Sequence, residues 1–446
     1  MLLPYPSMHS VPRTNSQRTM STRFQAPRGT QDVLPAVQPY WSAINEAILE
    51  VTRLYGYRRI DTPIFEAAAL FEKGSGDTTD IVEKEMYVFT DRGGEELALT
   101  PEATPAICRA YLEHGMASWP QPVRLYTTHP MFRYDRPQKG RYRQHTQFDC
   151  EVLGSGDPLV DAELIDLLWN LYRRLGLKGL QVRLSSIDDP APRRAYVDRL
   201  KEYYRPFLGD LSEDSRRRFD RNPLRLLDSK DDRDAPYKAG APKLVEQLSE
   251  QAAAHHEAVM AALRAAGIPY EIDPLLVRGL DYYNRTVFEI VPLEDERAQS
   301  TIGGGGRYDG LMELLGGPST PGIGFGCGFE RVILEMQRNE VELSEHPQAS
   351  VFVVHRGAAT AAAALRAAGA LRAAGLAAVL GEGERSFKSQ MRSADASGAL
   401  VAVILGDDEA ARGTAVVKDL RGDGGQREVP LEEVAGAAGS LLASSR

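Results

Sequence analysis

The stretch MFRYDRPQKGRYRQHTQFDCE, residues 131–151, decides how the fold of this chain is interpreted. Its middle part holds one acid, Asp135, among five cations, although the whole chain has a formal net charge of −9. The five cations are Arg133, Arg136, Lys139, Arg141 and Arg143. Residues 123–128 before them alternate as a strand does, and residues 144–152 can form the antiparallel partner. The pattern predicts a strand–loop–strand unit with Arg133 at the end of a strand and the other cations in the loop.

Positive charge concentrated in such a loop has more than one interpretation. A fixed arginine can hold a phosphate through two parallel hydrogen bonds, and a flexible basic loop can hold a polyanion such as RNA. Charged hairpin loops are also common on surfaces without any function. The acidic composition, 62 Asp and Glu against 53 Lys and Arg, argues against non-specific coating of nucleic acid and is compatible with a local basic site.

The bulk composition indicates an ordinary globular protein. The 446 residues suggest two or three domains. No run approaches the roughly 18 apolar residues of a membrane span. Cys108, Cys150 and Cys327 are far apart, so the sequence suggests neither a disulfide framework nor a zinc site, and a cytoplasmic setting fits best. Residues 1–22 are polar and lack acids; we favour a disordered extension, or a start at Met20, over an organelle presequence.

Helix and turn signals surround the basic unit. Residues 38–55 predict an amphipathic helix. Residues 87–89 and 97–99 flank a DRGG turn and predict a hairpin. Asp157 followed by Pro158 is typical of a helix start.

Changes in composition along the sequence divide the chain into regions. Residues 23–338 form the predicted large domain, and charged and Ala-rich segments at about 188–273 indicate a helical insertion within it. Residues 339–350 read as a polar linker. Residues 351–446 alternate strands with helices, which predicts a small α/β domain with a mainly parallel sheet.

Five further segments carry residues suited to chemistry. They are APRGTQDVLP (26–35), LTPEATPAICRAY (99–111), LVRGLDYYNRTVFE (276–289), GGGGRYDGL (303–311) and GFGCGFERV (324–332). The glycine run is typical of a strand whose backbone lies against a ligand. It is not a P-loop, because no Gly-Lys-Ser/Thr follows it.

Together these segments resemble the class II aminoacyl-tRNA synthetases, and within them the histidyl-tRNA synthetase family, from about residue 24 to the C-terminus. NPLRLLDSK (222–230) and SFKSQMRSADASGA (386–399) also match. The segment around 278–283 and the 386–399 segment are specific to the histidine branch. The resemblance implies an α+β catalytic domain with an antiparallel sheet, the class II synthetase fold, and a C-terminal α/β anticodon-binding domain.

The resemblance also implies an activity and partners. The activity is that of a ligase in protein biosynthesis, joining L-histidine to tRNA(His) through a histidyl-adenylate and releasing pyrophosphate and AMP. ATP is the expected nucleotide substrate, and Mg²⁺ would share its charge; no residue is assigned to a metal. A homodimer built on the first helix and residues 59–65, without a membrane association, is expected.

Five side chains are implied at the nucleotide. Arg133 and Arg278 would hold the α-phosphate, where charge develops when a carboxylate attacks phosphorus. Arg331 would stack on adenine and neutralise the distal phosphates, and Tyr142 could stack on the other face. Asp135 would contact the adenine amino group, where the family often has the longer Glu.

The implied histidine pocket must read an imidazole with two distinct nitrogens. Glu151 can accept a hydrogen bond from one nitrogen and Tyr283 can pair with the other, while Glu102 and Gln147 can hold the ammonium. The full set is Thr100, Glu102, Thr104, Gln147, Glu151, Arg278, Tyr282 and Tyr283.

The outer part of the basic loop is expected to meet the tRNA acceptor end, where the family reads an extra 5′ guanosine. Its residues are Arg136, Gln138, Lys139 and Arg141. Gln138 is the candidate for a base edge and the cations for phosphates.

Two other classes of protein compete with this interpretation. One is an inactive, synthetase-like regulatory subunit of histidine biosynthesis; such relatives lack the C-terminal domain and lose the arginine segment at 278, and this chain has both. The other is a class II synthetase for a different amino acid, against which the segment 278–283 argues.

Overall fold

The computed structural model describes residues 24–76, 79, 81–293, 301–343, 350–421 and 425–443. The chain separates into two units, residues 1–343 and 344–446. The predicted extension 1–22 and positions 344–349 of the predicted linker lie outside the described residues.

The longest strands of the described residues are β5 and β6, with ten residues each. In chain order the strands are β1 (Arg58–Arg59), β2 (Phe65–Ala67), β3 (Val88–Thr90), β4 (Glu96–Leu99), β5 (Val123–Phe132), β6 (Gln144–Leu153), β7 (Leu180–Ile187), β8 (Tyr270–Ile272), β9 (Asn284–Pro292), β10 (Gly303–Arg307), β11 (Gly322–Gly328), β12 (Val351–His355), β13 (Ala378–Leu380), β14 (Val401–Leu405), β15 (Thr414–Asp419) and β16 (Gln426–Pro430).

The α-helices follow the same order. They are α1 (Gln38–Leu54), α2 (Ala68–Ser75), α3 (Thr104–Glu113), α4 (Pro158–Arg174), α5 (Pro190–Tyr204), α6 (Glu213–Arg221), α7 (Ala235–Ala239), α8 (Glu250–Ala265), α9 (Leu311–Leu314), α10 (Phe329–Arg338), α11 (Ala358–Ala373), α12 (Phe387–Ala396), α13 (Asp407–Arg412) and α14 (Val434–Ala443). Short 3₁₀ or π turns occupy Ile81–Glu85, Met116–Ser118, Arg205–Phe207, Pro223–Leu226, Leu244–Gln247 and Leu431–Glu433.

The large unit is built on an eight-stranded sheet of order β1-β5-β6-β11-β10-β9-β7-β8. Its pairings are antiparallel except β1 with β5 and β7 with β8. The predicted strand–loop–strand unit is confirmed, because β5 and β6 pair in register from Val123↔Leu153 to Phe132↔Gln144. The basic loop connects them. The predicted hairpin is also confirmed as β3 and β4, and β4 pairs on its other side with β2 in a separate small sheet.

One face of the sheet is covered by helices whose apolar stripes fit it. Ile44, Ile48 and Val51 recur at helical spacing on α1 and are almost fully buried against the sheet. On α4, Asp157 caps the helix by accepting a hydrogen bond from the backbone N–H of Leu159 at 2.9 Å. Successive residues of a strand point to opposite faces. On the opposite face Leu125, Leu153 and Val287 therefore belong to a second apolar core, and polar side chains line the rest of that face.

The predicted insertion, about 188–273, contains two elements that belong to the main unit instead. Helix α8 packs on α4, with Val259 and Leu263 in the same core, and β8 pairs in parallel with β7. The Ala-rich composition that suggested an insertion belongs to α8, which lies in the crossover connection between the parallel strands β7 and β8.

The second unit is an α/β domain, as expected, but its sheet is mixed rather than mainly parallel. In the order β13-β12-β14-β15-β16, the first two pairings are parallel and the last two are antiparallel. Helix α11 contributes an alanine face to the core, including Ala364 and Ala368. None of the described helices in either unit has the length and apolar character that crossing a membrane requires.

Candidate active site

A cleft of about 830 Å³ opens on the face of the large sheet opposite α1 and α4. Along β6, Phe148 and Cys150 point into the core, whereas Gln147 and Asp149 line the cleft. Glu151 continues this polar row and is buried just behind the cleft wall, with 1% of its surface exposed.

Two of the predicted phosphate-binding arginines are held in the cleft by backbone carbonyls. Arg133 directly follows β5, and its Nε donates to the carbonyl of Pro101 at 2.8 Å. Arg331 lies in the first turn of α10 and donates from Nε to Gly140 at 3.2 Å and from Nη1 to Thr301 at 2.7 Å. These acceptors are neutral, so neither arginine forms an ion pair through these hydrogen bonds. Acidic side chains act on them through space, Glu289 on Arg331 and both Glu102 and Asp149 on Arg133.

The third arginine completes a cationic cluster. Arg278 lies before β9 and forms an ion pair with Glu289 while lining the same cleft. The pKa of Arg331 is lowered first by burial, and then by the like charges of Arg141, Arg133 and Arg278. Arginines that repel one another in this way, within one concave site, are suited to a ligand with several negative charges.

The basic loop divides into an inner and an outer part. Arg141 lines the cleft and pairs with Asp135, whose Oδ1 also accepts from the backbone N–H of Arg136 at 2.6 Å. The carboxylate of Asp135, which was predicted to contact adenine, is therefore bound by other residues of the basic loop. Tyr142 also lines the cleft. Of the residues predicted to meet tRNA, Arg136, Gln138 and Lys139 are exposed and lie outside the lining.

Carboxylates dominate the other half of the site. Glu102 accepts hydrogen bonds from Ser75 Oγ and, at 2.8 Å, from the hydroxyl of Tyr282. Burial raises the pKa of Glu102. Burial likewise raises the pKa of Asp149 to about 7 and that of Glu151 to about 8. A cationic ligand would stabilise the ionised form of each of these groups.

Glu151 is fixed by two hydroxyl groups that line the cleft. Thr104 Oγ1 donates to its Oε1 at 2.7 Å, and the hydroxyl of Tyr308 donates to its Oε2. A Cβ atom on Gly324 of β11 would lie 1.7 Å from Oε2, so only glycine leaves room for the carboxylate there. Gly326 gives Gln147 the same clearance, since a Cβ would lie 2.2 Å from Nε2.

Most of the residues predicted to bind ATP and histidine line this cleft, whereas Glu151 lies just behind its wall and Thr100 lies outside it. Thr100 is fully buried, lies outside the lining, and donates its hydroxyl to the carbonyl of Pro63 at 3.2 Å. Its side chain thus links the end of β4 to Pro63 in this structure. Tyr282 and Tyr283 line the cleft beside Glu102.

Several lining residues were not predicted. Tyr308 lies in the glycine-rich segment 303–311, which the sequence pattern singled out. Nothing in that segment indicated that its hydroxyl would donate to Glu151. Asp149 was detectable from the alternation of β6, and His145 precedes it on the same strand. The pKa of His145 is lowered to about 3 by burial and by the charges of Arg133 and Arg331, which keeps its ring neutral.

The segment NPLRLLDSK, which the sequence alone left without a role, forms part of the cleft wall. Arg225, Asp228, Ser229 and Lys230 line it. Ser229 Oγ donates to the buried carboxylate of Asp234 at 2.5 Å, which fixes this wall to the insertion.

Comparison with known families agrees with this geometry over nearly the whole chain. The family model described as "Histidyl-tRNA synthetase" matches residues 29–188 and 211–332. A second model, described as "Anticodon binding domain", matches residues 348–440.

Individual relatives give the same result. The chain is 46% identical over 411 residues to the histidine–tRNA ligase of Dehalococcoides mccartyi, covering 92% of this chain and 98% of the relative. It is 48% identical over 408 residues to that of Moorella thermoacetica, covering 92% and 96%. The crystal structure of apo histidyl-tRNA synthetase from S. aureus matches with a TM-score of 0.78 and 35% identity, over 93% of this chain and 99% of that one.

Proposed function

The chain belongs to the histidyl-tRNA synthetase family, and from this premise we propose which of its residues bind and activate each substrate. The enzyme is a ligase that joins L-histidine to its tRNA in an ATP-dependent reaction through histidyl-adenylate. The observation that carries the assignment of residues is the convergence of Arg133, Arg278 and Arg331 on one cleft beside buried carboxylates.

The first step joins histidine to AMP. A carboxylate oxygen of histidine attacks the α-phosphorus, a new P–O bond forms, the bond to the β-phosphate breaks, and pyrophosphate leaves. Negative charge grows on the α-phosphoryl oxygens and the leaving group. Arg133 and Arg278 hold the α-phosphoryl group, and Arg331 holds the distal phosphates and stacks on adenine. Preorganised donors of this kind each contribute about 3 kcal/mol or more to transition-state stabilisation.

Histidine is selected by paired polar groups in the acidic half. Glu151 accepts from one imidazole nitrogen and Tyr283 pairs with the other, while Glu102 and Gln147 hold the ammonium group. Thr104 and Tyr308 support this arrangement by fixing Glu151. A pocket that leaves its own buried polar groups unpaired with a wrong amino acid rejects that amino acid strongly.

Magnesium would enter with the nucleotide. No three His, Cys, Asp or Glu side chains of the described residues form a group that could hold a metal ion. Mg²⁺, however, is usually bound by one or two carboxylates together with substrate phosphates. Glu289 and Glu330 are carboxylates of the cleft lining that fit this role. When bound there, the ion would neutralise charge on the phosphates.

The second step transfers histidine to tRNA. A ribose hydroxyl at the 3′ end of the tRNA attacks the acyl carbon of the adenylate, and AMP leaves. The exposed loop residues Arg136, Gln138 and Lys139, with Arg141, meet the acceptor end. The C-terminal unit reads the anticodon, a role supported by its match to an anticodon-binding model.

A homodimer and a cytoplasmic location complete the proposal. The small sheet of β2, β3 and β4 exposes Phe65, Val88 and Phe89, and Ile64 directly before β2 is also exposed; Phe65 is 48% exposed. A contiguous apolar surface of this kind is suited to a second copy of the chain. The three cysteines are free and buried, in keeping with a reducing compartment.

The test is ATP–pyrophosphate exchange with each amino acid in turn. We expect exchange with histidine alone, and a loss of about 10²–10³-fold for Arg278→Ala. Arg173→Ala, an exposed arginine on α4, is the control and should retain wild-type exchange. Exchange with no amino acid would indicate a regulatory relative, and exchange with another amino acid would indicate a different specificity.

A further inference from the structure

Asp149 is a buried carboxylate of the cleft, and one of its two oxygens accepts no hydrogen bond from the described residues. Only 2% of its surface is exposed, yet it belongs to the cleft lining. Its Oδ1 accepts a hydrogen bond from Gln147 Nε2 at 2.5 Å. None of the described residues donates to its Oδ2. A buried polar atom without a partner is costly and needs a reason, such as a ligand.

The surroundings of Asp149 restrict what that ligand can be. Arg133 lies near enough for its charge to lower the pKa of Asp149, and Glu102 lies near enough to raise it. The carboxylate therefore lies near both the arginine assigned to the α-phosphate and the acid assigned to the ammonium. Opposite it in register lies Gly326, which adds no side chain to the cleft.

We propose that Asp149 binds the α-ammonium group of the histidine substrate through Oδ2 and orients the Gln147 amide toward the same group through Oδ1. This rests on the proposed function. The ammonium and carboxylate groups of an amino acid are bonded to the same carbon atom, Cα. When the carboxylate attacks a phosphorus held by Arg133, the ammonium must therefore lie beside Arg133, where Asp149 is found.

The alternatives fit the surroundings less well. The imidazole is assigned to Glu151 and Tyr283, and the charge of Arg133 is not among the main causes that shift the pKa of Glu151. A metal ion would need more ligands than the described residues gather at this point. Arg133 does not satisfy Oδ2 of Asp149 from within the protein, since none of the described donors reaches that atom.

The discriminating variant is Asp149→Asn. Asparagine has the same shape and its Oδ1 can still accept from Gln147, so the change removes the charge and keeps the orientation of the amide. The assay is histidine-dependent exchange, with inhibition by two analogues. Histidinol keeps the ammonium and lacks the carboxylate, whereas 3-(imidazol-4-yl)propanoate keeps the carboxylate and lacks the ammonium.

For Asp149→Asn we expect the KM for histidine and the inhibition constant of histidinol to rise together by about 10- to 100-fold, as for loss of a charged hydrogen bond. The KM for ATP and the inhibition constant of the propanoate should stay within about threefold. Asp198→Asn, the same change at an exposed position of α5, should leave all four values unchanged.

Two results would overturn the inference. One is a histidine KM within about threefold of the wild type, and the other is equal weakening of both analogues, which indicates a structural role. If the asparagine variant fails to fold, Asp149→Ser is used and the same contrast between analogues is required. A wild-type enzyme without histidine-dependent exchange would instead contradict the proposed function, so the two failures are distinguishable.

Discussion

The two halves of the cleft hold opposite charge by opposite means. Arg133 and Arg331 donate to neutral backbone carbonyls, and a guanidinium group stays protonated throughout the physiological pH range. Glu102 and Glu151 accept from hydroxyl groups and are so deeply buried that their pKa values rise. The cationic half is therefore charged before ATP arrives. The acidic half reaches its full charge only when a cationic substrate binds.

The largest effect is expected in the cationic half. Arg133→Ala should lower the rate of histidine-dependent exchange at saturating substrates by about 10²–10³-fold, because charge on the α-phosphoryl group loses a preorganised donor. Arg124→Ala is the matched control, since Arg124 lies on the same strand and pairs with Glu163 at 2.7 Å. A rate loss below about threefold for Arg133→Ala would place the α-phosphate elsewhere.

The next largest effect is expected from a substitution that fills the space beside Glu151 and so affects the acidic half of the cleft alone. In Gly324→Ala the new methyl group would overlap Glu151 Oε2, at 1.7 Å, and displace the carboxylate. We expect the KM for histidine to rise at least about tenfold, because a polar group of the pocket is misplaced, while the KM for ATP changes little.

Gly310→Ala is the control for this prediction, because a Cβ atom there meets nothing within 4 Å. Equal increases in the KM values for histidine and ATP would show that the two halves are not independent.

The outer loop should respond to tRNA and not to the small substrates. Lys139→Ala is expected to lower tRNA charging by about three- to tenfold and to reduce the slope of log affinity against log salt by about 1, as for one lost phosphate contact. Exchange should be unchanged. Lys178→Ala, an exposed lysine outside the loop, is the control. Equal losses in charging and exchange would remove the loop from tRNA contact.

The cationic half was easier to predict from the sequence than the acidic half. Arg133 stands where a strand pattern gives way to a loop, and Arg331 follows a glycine-rich strand at a helix start, so local signals locate both. The role of Asp149 depends on register, because it matters that Gly326 of β11 lies opposite. Tyr308 reaches Glu151 from the C-terminal side of β10, a contact between segments more than 150 residues apart that no local pattern encodes.

Two other differences between the sequence pattern and the observed placement have the same origin. Thr100 lies next to the acidic residues in sequence but turns to the Pro63 carbonyl. The segment holding α8 was assigned to the insertion because helical texture does not reveal that β8 pairs with β7. Local patterns thus predict elements and their ends, whereas pairing across the sheet determines which residues share a cleft.

The smallest expected effect is a pH dependence of the free energy of unfolding, which we assign mainly to the acidic half of the cleft. The folded pKa values of Asp149 and Glu151, about 7 and about 8, lie above their ordinary values of 3.8 and 4.5, and burial also raises the pKa of Glu330 beside Arg331 to about 7. Between pH 6.5 and 8 the folded ligand-free state therefore binds more protons than the unfolded state, and its stability falls as pH rises. Buried histidines such as His145 have lowered pKa values, so their opposing effect is confined to pH below about 6.5.

We expect the Tm of the ligand-free enzyme to fall by a few degrees from pH 6.5 to 8, measured by calorimetry of the large unit's transition. Glu151→Gln should reduce this fall, because the amide carries no charge at either pH. Arg133→Ala should leave most of it, since a guanidinium does not titrate in this range. A pH-independent Tm in the wild type, or a slope removed by Arg133→Ala and kept by Glu151→Gln, would contradict the assignment of the titrating charge to the acidic half.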